Sequence, residues 1–210
     1  MTDKNTLHIL IATNNKFKIE EMKWFLADLA FVELHYVDEI ENISDVKEDG
    51  ETLEENAVKK AIEISAHTDW IVFASDVGVK IPGLGDKWDY RRPRRILGEH
   101  ATEEEKARKL IEMMKDLKGE DRKAHYPLAI AFAQKGTKIW SKEFDSYDGY
   151  ITDKPDFKTI GPNKGMGRLW YVPEFDQTED RLNEDQHNKL RIEFQTEVKK
   201  EIEELLAQFN

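Results

Sequence analysis

The segment Leu7-His8-Ile9-Leu10-Ile11-Ala12 is short, rich in branched aliphatic side chains and almost unbroken. That is the pattern of a strand buried on both faces. Thr13-Asn14-Asn15 cuts it, and Met22, Phe25, Leu26 and Leu29 then recur at helical spacing. Strand, polar turn, helix is therefore the opening unit, and its repetition constrains the fold. Residues 31–37 read as a second strand, followed by an acidic, loop-like stretch over 38–50. A second helix begins near Thr52, with Leu53, Ala57, Ala61, Ile62 and Ile64 as its apolar positions. The strand 70–74 comes next and ends at Ser75-Asp76.

Beyond it, residues 78–85 look like a short strand and turn, and a basic loop runs on to Gly98. Thr102 and Glu105 form a capping box for a helix carrying Leu110, Ile111, Met114 and Leu117. Residues 126–134 and 137–144 are two strand-like runs separated by Lys135-Gly136, a hairpin signal, and 148–151 extend that sheet. A loop rich in Gly and Pro spans 153–173. The segment 184–209 reads as a long amphipathic helix with Leu190, Phe194, Val198, Ile202 and Leu205 inward. Alternating strands and helices followed by a hairpin predict an α/β protein with a mixed sheet.

Composition narrows the function. Of 210 residues, 39% are hydrophobic, with ten Phe, five Trp and six Tyr, enough for a sizeable core. The 32 Lys+Arg against 43 Asp+Glu give a net charge of −11, which repels extended nucleic acid and anionic membranes. Cysteine is absent, which excludes disulfides, thiol catalysis and cysteine metal sites. No apolar run approaches the roughly 18 residues of a membrane span. The polar start, residues 1–5, has no signal-peptide character, so a soluble, cytoplasmic protein is expected.

Several places could carry chemistry. Thr13, Asn14, Asn15, Lys16 and Lys18 lie at the carboxyl end of a buried strand and open a helix, where ligands collect in α/β sheets. Free amides there attract anions, and the lysines add charge. Asn15 can equally be an ordinary helix cap with both lysines solvated. Glu55 is either a hard oxygen ligand or a residue bonding back to its own helix terminus, since Thr52 and Glu55 stand in capping spacing. Asp76 ends an apolar strand just before Gly78, where a carboxylate can hold a metal ion or orient water, or simply begin a turn. The run from Trp88 to Arg95 packs four arginines and two aromatics into eight residues. It suits a small polyanion such as a nucleotide, or a solvated loop paired with acids. The glycines around Lys164 match no phosphate-loop pattern, and the six histidines show no metal-ligand spacing in sequence. No nucleophile signature occurs, so hydrolysis would need an activated water.

Taken in order, these landmarks carry a resemblance. Ala12-Thr13-Asn14-Asn15 with Lys18 and Glu21, then Glu51-Thr52-Leu53-Glu54-Glu55-Asn56-Ala57, then Phe73-Ala74-Ser75-Asp76-Val77-Gly78, then Gly98 to Thr102 follow one family's spacing. The chain resembles the inosine triphosphate pyrophosphatase family, house-cleaning enzymes that hydrolyse non-standard purine nucleoside triphosphates. The match is close over residues 7–117 and looser through 126–151.

The resemblance implies an α/β fold with an elongated mixed β-sheet flanked by helices. It also implies two lobes around a nucleotide-binding cleft, the second lobe roughly over 120–175. The implied reaction is attack of water on the α-phosphorus, giving a nucleoside monophosphate and pyrophosphate. Mg2+ would be held by Glu55, with Asp76 as further ligand or general base and Lys18 as a third catalytic group. Substrate would contact Thr13, Asn14, Asn15, Lys16, Ser75, Arg95, Lys164, Gly165, Gly167, Arg168, and His187 or Lys189. A homodimer is implied as well.

Departures from the family pattern fall mainly on the base-reading side. Ser75 stands where the family has the first of two aspartates. Gly165-Met166-Gly167-Arg168-Leu169 replaces a Gly-Phe-Gly-Tyr-Asp segment, and the C-terminal Ser-His-Arg is missing near Arg191. The expectation is thus a Mg2+-dependent nucleoside triphosphate pyrophosphatase with altered base specificity. The alternatives are a non-catalytic nucleotide-binding protein that retains the fold, and a pyrimidine-directed pyrophosphatase of the same architecture.

Overall fold

The computed structural model describes residues 6–41, 43, 46–157 and 166–209. Among these are the helices α1 (Lys16–Leu26), α2 (Leu53–Ser65), α3 (Pro93–Leu97), α4 (Glu103–Met113) and α5 (Glu184–Leu206). The strands are β1 (Leu7–Ile11), β2 (Val32–Tyr36), β3 (Ile71–Val77), β4 (Lys123–Gln134), β5 (Thr137–Ile151), β6 (Trp170–Val172) and β7 (Gln177–Thr178). They form one mixed sheet in the order β2-β1-β3-β4-β5-β6-β7. This is the α/β architecture expected. β1 runs parallel to both β2 and β3, while β3 pairs antiparallel with β4. Among the described residues no helix is long and apolar enough to cross a membrane.

The chain divides into two compact units, the first made of residues 1–77, 128–144 and 194–210. Ile9, Leu10 and Ile11 are fully buried in it, as an unbroken apolar strand requires. Alternation splits them between faces. Ile9, Ile11, Ile71 and Phe73 meet Met22 and Phe25 of α1 and Val198, Ile202 and Leu205 of α5. The opposite face of β3 is covered by α2, whose Leu53, Ala57 and Ala61 are fully buried. The β4–β5 turn is the two-residue Lys135-Gly136, and both residues have positive φ (50° and 73°), the backbone of a type I′ hairpin turn.

The second unit comprises residues 78–127 and 145–193, with its own core of Leu84, Trp88, Leu110, Met114, Leu169 and Trp170. The capping box at Thr102 and Glu105 forms as the sequence predicts. Arg122 is almost fully buried, and its guanidinium donates to the carbonyls of Met114 (2.7 Å), Ile151 (2.6 Å) and Thr152 (2.8 Å). It thereby satisfies backbone acceptors beyond the end of α4 and at the end of β5. The segment predicted as a basic loop contains α3. Pro93 has a preset φ and no N–H to lose, so it opens that helix within the arginine run. Trp88 is buried, and its indole N–H donates to the Val79 carbonyl at 2.5 Å.

Candidate functional site

The site is built in the first unit at the carboxyl ends of β1 and β3. Just beyond β1, the Asn15 amide N–H donates to the Thr13 hydroxyl at 3.2 Å. The Asn15 side chain accepts from Phe17 N at 3.0 Å, so it caps α1. Thr13 is half-buried, whereas Asn14, Asn15 and Lys16 are exposed beside the first turn of α1. One turn on, Lys18 points back towards β3 and its ammonium donates to the Ser75 carbonyl at 3.5 Å.

β3 continues past Ala74 through Val77, and its alternation decides what Ser75 and Asp76 do. The Ser75 side chain turns towards α1, its hydroxyl 3.9 Å from the Met22 sulfur. Its carbonyl, not its hydroxyl, reaches the site, accepting from Lys18 and from Lys60 (3.3 Å). Asp76 faces α2 and is only 6% exposed. One carboxylate oxygen accepts from Val77 N (2.9 Å) and the other from the Asn56 side-chain amide (3.0 Å).

Asn56 is itself buried, and its carbonyl oxygen accepts from Gly50 N at 2.8 Å. This one side chain therefore ties the end of the acidic loop to β3. The same face of α2 supplies two further clamps, because positions three and four residues apart lie together on a helix. Lys59 bonds Asp49 at 2.7 Å, and Lys60 bonds Glu48 at 2.6 Å.

Charges at the site are strongly coupled. Burial pushes the Asp76 carboxyl above its usual range, and Glu48 pushes it further, against the pull of Lys18, Lys60 and the Asn56 hydrogen bond. Burial likewise lowers Lys18 from its ordinary value, reinforced by Lys60 and opposed by Asp76 and Glu48. Two ammonium groups converging on one carbonyl beside buried and half-exposed carboxylates make a place suited to phosphate and a hard cation.

Glu55 bonds at the entrance of its own helix. Its carboxylate accepts from Glu51 N at 2.6 Å while Thr52 caps its own amide at 3.0 Å. It lines an open groove of about 580 Å3 with Lys59, Glu63 and Lys138. Glu48, paired with Lys60, also bears on Asp76, and the sequence reading missed it together with Asn56 and Lys60. A signal existed for the last two. Asparagine is a poor residue for a helix interior, and a lysine four residues later shares its face.

The remaining expected residues belong to the second unit. Arg95 is exposed on α3, and Arg168 is buried in the turn before β6, next to Gly167. His187 lies 4.0 Å from Glu179, which also accepts from Tyr147 Oη (3.0 Å) and Arg191 (2.5 Å). Burial and the Glu179 charge hold the Tyr147 phenol far above its ordinary value. Lys189 pairs with Glu174 at 2.5 Å on the surface. Lys164 and Gly165 lie outside the described residues.

The chain is similar to known proteins in sequence and in fold. The sequence profile of the Ham1 family matches residues 9–196. The chain is 34% identical over 191 residues to a Clostridium perfringens protein named dITP/XTP pyrophosphatase, covering 86% of this chain and 89% of that one. A Bacillus licheniformis protein of the same name is 32% identical over 206 residues, covering 95% and 98%. The solved structure of a HAM1 protein from Coxiella burnetii matches with a TM-score of 0.79 at 25% identity, covering 96% of this chain and 99% of that one.

Proposed function

The chain belongs to the Ham1 family and is a hydrolase of nucleoside triphosphates, and we propose that it cleaves them to the monophosphate and pyrophosphate. One observation supports the assignment of roles most: Lys18 and Lys60 both donate to the Ser75 carbonyl next to the buried Asp76, and Lys60 pairs with Glu48. In this reading the Asp76 carboxylate orients the attacking water and accepts its proton. A carboxyl raised by burial is a better base than an ordinary aspartate. Lys18 and Lys60 bind phosphate oxygens and offset the charge that develops on them. The first-turn amides of α1, beside Thr13, Asn14 and Asn15, receive a further phosphate.

Magnesium fits the donor set. The carboxylates of Glu48 and Asp76 and the Ser75 carbonyl are all hard oxygen donors, and that carbonyl already attracts two cations. Mg2+ bound there would neutralise phosphate charge and polarise the phosphoryl oxygens. Asn56 then acts as a positioning residue, fixing Asp76 and the loop that carries Glu48.

Base preference is assigned away from that of the relatives named dITP/XTP pyrophosphatase. Residues 165–169 read Gly-Met-Gly-Arg-Leu, without the aromatic and acidic side chains of the resembled segment. Pyrophosphate release should be measured with dITP, XTP, ITP and the standard triphosphates, with and without Mg2+. Turnover that requires Mg2+ and peaks on another base is the expected result. Absence of turnover above the Asp76→Asn background would leave only nucleotide binding and overturn the proposal.

A further inference from the structure

A second constellation lies at the opposite end of β1. His8 sits near the start of β1 and pairs in register with Glu33, while Leu10 pairs with His35. Side chains two apart on a strand share a face, so His8, Glu33 and His35 project together. Among the described residues, these are the group of three whose donor atoms all lie within 4.8 Å of one another. His8 Nδ1 is 2.9 Å from His35 Nε2, and Glu33 oxygens lie 3.7 Å from His8 and 3.9 Å from His35.

We propose that His8, His35 and Glu33 form a binding site for a divalent transition-metal ion, with Zn2+ the expected occupant. Ligands held tetrahedrally at about 2.0–2.2 Å stand about 3.3–3.6 Å apart, so the three donors need only small adjustments. Two imidazoles and one carboxylate suit Zn2+ rather than Mg2+ or Ca2+, which take oxygen ligands.

The surroundings of His35 are an independent observation. Its Nδ1–H donates to the Glu39 carboxylate at 2.8 Å, which leaves the Nε2 lone pair facing His8 and Glu33. This carboxylate–histidine arrangement is how metal-binding imidazoles are commonly held in the correct tautomer. Trp70 stacks on the same ring, with centroids 3.7 Å apart, and fixes its plane. His35 is only 11% exposed, whereas His8 and Glu33 are 42% and 56% exposed and leave a path for the ion.

A hydrogen bond between two histidines accounts for the 2.9 Å contact alone. It does not account for Glu33 completing the triangle or Glu39 orienting the second imidazole. The ion would displace that hydrogen bond, with the His8 proton moving to Nε2. It would also cross-link β2, at the sheet edge, to β1.

The test is a Co2+ titration of the metal-stripped full chain, followed by competition with Zn2+. The Asp76→Asn/Glu48→Gln double variant serves as the background, so that binding at the phosphate site does not contribute. The expected result is one equivalent giving the intense visible bands of four-coordinate Co2+, displaced by Zn2+. His8→Gln should weaken binding at least tenfold, and Glu39→Gln about 10–100-fold. Zn2+ should raise the thermal midpoint of the double variant but not that of the same protein carrying His8→Gln. Equal affinity with His8→Gln, or only the weak bands of six-coordinate Co2+, would overturn the proposal. His8 is partly exposed, so its substitution tests the site even where His35→Gln does not fold.

Discussion

Replacing Asn56 with alanine should weaken stability and catalysis together, for one reason. Asn56 donates to Asp76 at 3.0 Å and accepts from Gly50 N at 2.8 Å, from a fully buried position. A hydrogen bond to a carboxylate contributes about 1.5–3 kcal/mol and one to a backbone amide about 1 kcal/mol. Asn56→Ala should therefore destabilise the protein by about 2.5–4 kcal/mol through loss of both bonds. For a chain of this length that lowers the thermal midpoint by roughly 5–16 °C. The same change removes one of the influences that lower the Asp76 pKa, so the acid limb of kcat/KM should move to higher pH. Denaturant unfolding and a pH–rate profile read the two effects separately, and Asn56→Ser gives a milder variant if alanine is too disruptive. A variant with unchanged stability and an unchanged acid limb would refute the role given to this side chain.

Three further outcomes follow from local geometry. Lys135 is a non-glycine residue at φ 50° in the hairpin turn, and Lys135→Gly or Lys135→Asn should raise stability by about 0.5–1 kcal/mol in urea unfolding. A Cβ at Gly149 would lie 2.1 Å from the Trp170 indole nitrogen, so Gly149→Ala should destabilise by about 1–3 kcal/mol and alter the tryptophan fluorescence. The Asp49 carboxyl is lowered to about 2, first by its hydrogen bonds to Lys59 and Lys47. Its folded pKa is depressed, so its stabilising effect is full above the unfolded pKa and is lost as pH falls towards 2. The stability gap between the wild type and Asp49→Asn should accordingly narrow over that acidic window and stay constant at neutral pH.

The fold was legible where local chemistry and tertiary packing agree. The unbroken run at 7–12 became a doubly buried strand, Thr102 and Glu105 formed their capping box, and Lys135-Gly136 made the hairpin turn. The arginine run was misread because its charge suggested a loop, whereas Pro93 at a first helical position and the burial of Trp88 organise it.

At the site, residues far apart in sequence meet through the register of β3 and the face of α2. Glu55 has capping spacing and spends its carboxylate on the helix entrance, as its local environment allows. Glu48 belongs to an acidic, loop-like stretch in the sequence, and the clamp made by Asn56, Lys59 and Lys60 ties the end of that stretch to α2 and β3. Ser75 shows the limit of reading a strand end without its register. One further residue of β3 turns its hydroxyl away from the site and its carbonyl towards it. The histidine cluster was equally invisible, since His8 and His35 are separated by 27 positions and meet only through parallel pairing.

The most direct test of the central claim compares Asp76→Asn, Glu48→Gln and Glu55→Gln for Mg2+-dependent pyrophosphate release from the best substrate in the panel. The account predicts that kcat falls by about 10²–10⁴-fold for Asp76→Asn and falls clearly for Glu48→Gln, while Glu55→Gln stays near wild type. A large loss in Glu55→Gln with near-normal turnover in Glu48→Gln would contradict it.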